Sequence, residues 1–146
     1  MNDAEYEEQK DRIKAIYDRW DQVLGLRWWT VKQVWVRDLD GFQSESNGHT
    51  SFIVHARTTA SWPYMTATIS FNLVDMANLD DKDAERVVVH ELCHILVNEM
   101  RYDETVSGLA HGENGRMHEE RVVTTLAQAF LRVRNMDRPD IEQVRE

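Results

Sequence analysis

Two histidines four residues apart, His90 and His94, with Glu91 directly after the first, stand in the run Val87-Val88-Val89-His90-Glu91-Leu92-Cys93-His94-Ile95-Leu96-Val97. On a helix, positions four apart lie one turn above the other on the same side. The two imidazoles would then point at a common spot, at about the spacing two zinc ligands need. Glu91, one step round, can reach a water held by that metal. Ala84, Val87, Val88, Val89, Leu92, Cys93, Ile95, Leu96, Val97 and Met100 make the helix apolar nearly all round, which predicts burial. Three ionisable side chains on a buried helix are costly unless something pairs with them. A divalent cation would do that. The competing reading is a core helix whose histidines hydrogen-bond to backbone.

Zinc at a catalytic site usually takes three protein ligands and leaves one position for water. Glu119 and Glu120 open a later apolar helix, where a carboxylate could reach a buried metal. Glu120 is the favoured third ligand, because its one-turn neighbour Thr124 could donate to it. The neighbour of Glu119 is Val123, a core residue. His118 and His111 are rivals for the position, and both glutamates also suit a helix N-terminus through its dipole. A developing oxyanion needs an electrophile beside the metal. His111, His118, Tyr102 and Arg116 are the candidates, and His111 in its glycine-rich loop is the first choice.

The chain has 146 residues, enough for one domain with a core. Hydrophobic residues are 42% and charged residues 29%, a globular balance. A net charge of -9 disfavours a broad nucleic-acid-binding face. The single cysteine, Cys93, excludes an internal disulfide and an all-cysteine zinc site, and reads as a small apolar filler. The acidic first residues lack the apolar core of a signal peptide, and no run is long enough to span a membrane. Both point to a cytoplasmic protein without a membrane partner.

Residues 3 to about 24 read as a helix capped by Asn2 or Asp3, with Ile13, Ile16, Tyr17, Trp20 and Leu24 on one stripe. Residues 26–37 are aromatic and β-branched, which favours a strand. Residues 38–50, with Asp40-Gly41 and Asn47-Gly48, read as a long hairpin loop to a second strand at 51–59. His55 there reads as a surface or sheet residue rather than a ligand. Met65, Ala67, Ile69 and Phe71 alternate with polar residues, the mark of a half-buried strand, and Pro63 at its start suggests an edge position. An edge strand before the metal helix could pair with an extended peptide along Met65–Phe71. A short helical turn is expected within 73–79. The motif helix follows at about 81–101, capped by Asp80 or Asp81. A glycine-bearing loop to Arg116 comes next, then a helix at about 117–134 and a loose tail at 135–146.

His90-Glu91-Leu92-Cys93-His94, followed by Glu119-Glu120-Arg121-Val122-Val123-Thr124 on a second helix, resembles the gluzincin branch of zinc metallopeptidases. The layout is similar to small metallopeptidases encoded by bacteriophages, over about residues 26–134. The resemblance implies an α+β, minimal zincin-like fold in one domain spanning 1–146. Its parts would be an N-terminal helix, a short twisted mostly antiparallel sheet, an active-site helix and a second ligand-bearing helix. It implies that His90, His94 and Glu120 bind zinc, that Glu91 is the base, and that the strand before the active helix lines the cleft. The substrate would be a peptide or protein, in the host cytoplasm if the gene is a phage's. Two other readings compete: a metal-binding protein of the same fold that acts as a regulatory partner without proteolysis, and a DNA-associated protease, which the net charge disfavours.

Overall fold

The computed structural model describes residues 1–37, 54–102 and 113–136, with side chains over 1–37, 54–98 and 119–135. Residues 135 and 136 continue a helix, while the expected hairpin loop, His111 and the tail beyond Met136 lie outside the described residues. So do the side chains of Tyr102, Arg116 and His118.

Helix α1 (Asp3–Leu24) starts and stops where its sequence signals place it. Asn2 Oδ1 accepts from the Glu5 amide at 2.9 Å, and Glu5 Oε2 accepts from the Asn2 amide at 2.8 Å. This reciprocal pair satisfies two backbone donors that a helix start otherwise leaves open. The C-cap is Gly25, whose φ of 69° is a left-handed value that a side chain would strain. Ile13, Ile16, Tyr17 and Trp20 are its buried stripe.

A 3-10 turn (Leu26–Trp28) leads into strand β1 (Thr30–Val36). Strand β2 (Ala56–Ser61) and strand β3 (Thr66–Asn72) are joined through a 3-10 turn (Trp62–Tyr64) and Met65 at φ 48°. The order is β1-β3-β2, with β1 parallel and β2 antiparallel to β3. The fold is therefore α+β, but the sheet is mixed, and β1 and β2 do not form a hairpin.

The edge position expected for β3 is not found: it is the central strand, paired on both sides. Pro63 sits in the 3-10 turn, ahead of the ladder, so its missing N–H costs β3 nothing. The alternation of Ala67, Ile69 and Phe71 is real, and all three are buried. It records that one face of the sheet is covered by helices, which is independent of whether the strand has neighbours in the plane.

Helix α2 (Leu73–Met76) is one turn, with Asn72 Oδ1 accepting from the Asp75 amide at 3.4 Å. Helix α3 (Asp81–Tyr102) carries the motif, and Asp80 Oδ1 caps it at the Asp83 amide, 2.8 Å away. Helix α4 (Glu113–Met136) lies along α3. The core joins the α1 stripe, the inner face of β3, the buried side of α3 (Ala84, Val88, Val89, Leu92, Cys93, Ile95) and Val123 and Ala127 of α4. Burying side chains the size of Phe71 or Ile69 contributes about 1.5–3 kcal/mol each. Trp35 stacks on Phe71 with ring centroids 5.2 Å apart, tying β1 to the centre of the sheet.

Polar ties lock the helices that must hold the motif still. Glu85 on α3 accepts from Trp20 Nε1 at 2.6 Å and Arg19 at 3.0 Å of α1, and pairs with Arg134 of α4. Arg12 reaches across to the carbonyls of Met76 and Leu79 and to Asp81. Among the described residues no helix is long and apolar enough to cross a membrane.

Candidate metal centre

Helix α3 packs against α1, α4 and β2 and turns His90 and His94 towards a cleft of about 760 Å³. The walls of that cleft are α3, Glu119 and Glu120 of α4, and the chain from Val54 through Ala60 of strand β2. The strand beside the motif is thus β2, where the sequence pointed to the run Met65–Phe71. His55, expected at the surface or in the sheet, lines this cleft, and among the described residues its buried Nδ1 has no hydrogen-bond partner.

One ligand atom each of His90, Glu91 and His94 lies within 4.8 Å of the others, so this group could hold a metal ion. The finer geometry brings in α4. His90 Nε2 and His94 Nε2 face each other at 3.2 Å, with the rings edge to face. Glu120 stands over both, Oε2 at 3.2 Å from His90 Nε2 and Oε1 at 3.3 Å from His94 Nε2. Glu119, its neighbour in sequence, goes behind the ring: His94 Nδ1–H donates to Glu119 Oε1 at 2.9 Å. Successive helix positions point about 100° apart, which is why two adjacent glutamates reach opposite nitrogens of one imidazole. With its proton held on Nδ1, His94 presents the Nε2 lone pair to the cleft. The expected contact of Thr124 with Glu120 is absent. Thr124 is exposed, and no hydrogen bond joins the two among the described residues.

Glu91 is only 7% exposed and points to the strand wall. Thr58 Oγ1 of β2 donates to Glu91 Oε2 at 2.6 Å and also lies 3.2 Å from the Glu91 carbonyl. One carboxylate oxygen is fixed in this way and the other is left for the cleft. Sequence reasoning missed Thr58 and the role of Glu119. The adjacent pair of glutamates carried a signal for the second; nothing in the run Ala56–Ser61 marks the first.

Cys93 is fully buried, and burial pushes its thiol up to about 12, so it offers no thiolate ligand. Burial works to lower the His94 pKa. The hydrogen bond to Glu119 and the charges of Glu91 and Glu120 overcome this and leave it raised above the usual histidine value. A group raised by folding stabilises the fold below its unfolded pKa and loses that contribution as pH rises through the folded value. Metal-free protein is therefore expected to melt at a lower temperature at about pH 8 than at about pH 6. Metal-loaded protein should show the opposite trend, since a ligating imidazole must be deprotonated. Calorimetry with chelator and with added metal checks both, and a metal-free His94→Gln variant should lose this component of the fall.

Comparison with protein-family models, with curated proteins and with solved structures finds no match.

Proposed function

We propose that this protein is a zinc-dependent metallopeptidase of gluzincin type, with His90, His94 and Glu120 as the metal ligands. The observation that carries the reading is the convergence of His90 Nε2, His94 Nε2 and the two carboxylate oxygens of Glu120. Ligand atoms about 2.0–2.1 Å from a tetrahedral centre stand about 3.3 Å apart. The two Nε2 atoms stand 3.2 Å apart, and one Glu120 oxygen lies beside each, Oε2 at 3.2 Å from His90 and Oε1 at 3.3 Å from His94. Two imidazole lone pairs at such a distance repel unless a cation or a proton lies between them, and three carboxylates surround the pair. Imidazole and carboxylate donors suit zinc. When bound, zinc would lower the pKa of a coordinated water towards neutrality and polarise a substrate carbonyl.

The protein's own groups supply the rest. Glu91, held by Thr58, accepts the proton of the attacking water and passes it to the leaving amine. Glu119 holds the His94 ring in the tautomer that ligation needs. Strand β2 pairs with β3 on one side only, and among the described residues no strand covers its other side. An extended peptide can add there, main chain to main chain, and cross the metal site. The edge-strand role expected of β3 thus passes to β2. His111 remains the first candidate to face the oxyanion.

Protein purified without a metal-binding tag is the material for the test. Elemental analysis should find about one zinc per chain, and the protein should cleave casein or members of a peptide library. Chelation should abolish cleavage and zinc should restore it. Zinc content without cleavage of any substrate would favour a regulatory metal-binding protein of the same fold. Active protein free of metal would overturn the reading.

A further inference from the structure

We propose that Asn98 is a substrate-binding residue, whose carboxamide holds the main chain of an extended peptide one helical turn beyond His94. The inference rests on the peptidase reading and deepens it, because it selects the length of the substrate.

Positions 90, 94 and 98 recur every four residues, so Asn98 continues the row of His90 and His94 along α3. It lines the same cleft. It is only 5% exposed, and among the described residues its buried Oδ1 has no hydrogen-bond partner. Buried polar side-chain atoms are nearly always paired, and one left open destabilises the fold. Apart from Glu91, which Thr58 satisfies, the other buried positions of this helix among the described residues carry apolar side chains such as Leu92 and Ile95. A leucine at 98 would have met the packing requirement without that cost. An unmet amide beside a cleft is thus explained by a ligand that completes it.

The chemistry of that ligand follows from the group. A carboxamide carries a donor and an acceptor side by side, the complement of a peptide N–H and C=O. Its terminal torsion is broad, so the amide can turn its oxygen into the cleft when a partner arrives. Four residues of helix rise about 6 Å, and an extended chain covers about 3.3 Å per residue. Asn98 therefore meets main chain about two residues from the scissile bond. Short peptides that end before this point cannot use it. The favoured substrate is a longer peptide or an unfolded protein segment.

The test compares wild type with Asn98→Leu and Asn98→Ala, each loaded with zinc, on a nested series of peptides lengthened stepwise on either side of one cleavage site. In wild type, KM should fall by about 3–10-fold as the series passes the second residue on one side, the equivalent of one hydrogen bond. Both variants should lose that gain, with kcat on the long peptides within about twofold of wild type. Zinc content should be unchanged, and the melting temperature of Asn98→Leu should be equal or higher. If the variants keep the length dependence, Asn98 does not bind substrate, and the peptidase reading stands without it. The inference also falls if both variants melt earlier and KM is unmoved, because the amide is then structural. If wild type cleaves none of the series and no other peptide, the peptidase reading falls and takes the inference with it.

Discussion

Replacing Glu91 with glutamine is expected to remove peptide hydrolysis while zinc stays bound. The substitution changes one oxygen to an amide nitrogen and keeps the shape of the side chain. Glutamine retains a carbonyl oxygen that can accept from Thr58 Oγ1, now 2.6 Å from Glu91 Oε2, so the side chain stays pinned to β2. What it cannot do is take a proton. A positioned general base is worth about 100- to 10,000-fold, and kcat should fall by that much. The fold should tolerate the change, because Glu91 is 7% exposed and glutamine removes a charge from that setting. Elemental analysis should return the same zinc content and calorimetry a similar melting temperature. Full activity in this variant would remove Glu91 from the mechanism and would leave the metal reading intact. Loss of zinc would instead make Glu91 a ligand, the role left open by its place within 4.8 Å of both histidines.

How far the sequence discloses this arrangement depends on the direction in which each residue acts. Helices are legible because their faces repeat along the chain. The stripe of Ile13, Ile16, Tyr17 and Trp20 and the capping pair of Asn2 and Glu5 define α1 from local signals alone. The apolar wrapping of His90 and His94 likewise predicts a buried α3, and Val123 and Ala127 are buried on α4 as the period requires. Position within the sheet plane leaves no such trace. The alternation of Ala67, Ile69 and Phe71 reports which face of β3 is covered and is silent on how many neighbours it has. A central strand with one open face and an edge strand look the same. The parallel pairing of β1 with β3 is a tertiary outcome, and so is the insertion of β3 between β1 and β2. In the candidate site the division is similar. Spacing on one helix brings out His90, Glu91 and His94. Thr58 enters from a strand more than thirty residues away, through a contact that no local pattern foreshadows. Thr124, the neighbour that favours Glu120 over Glu119 in the sequence, plays no such part among the described residues. What separates the two glutamates is the side of the imidazole each can reach.

That separation gives the second large effect. Glu120→Ala is expected to lose zinc outright under conditions that leave wild type fully loaded. Among the described residues it removes the one carboxylate whose oxygens lie beside both Nε2 atoms, at 3.2 and 3.3 Å. Glu119→Ala should act more mildly. It removes a partner of Nδ1, 2.9 Å away, and the tautomer and ring orientation that partner enforces. Loss of such an outer contact typically costs about 10- to 100-fold in metal affinity. Glu119→Gln should cost less than Glu119→Ala, because its amide oxygen can still accept from Nδ1–H. The burial of the two side chains points the same way. Glu119 is 10% exposed, as befits a group fixed against the ring, whereas Glu120 is 57% exposed and leans into the open cleft where a metal would arrive. Competition titration with a chromophoric chelator measures all three affinities on one scale. The opposite ranking, with Glu119→Ala losing zinc and Glu120→Ala only weakened, would exchange the two roles. Equal and slight effects from both would mean that the metal, if held, takes its third ligand elsewhere in the protein.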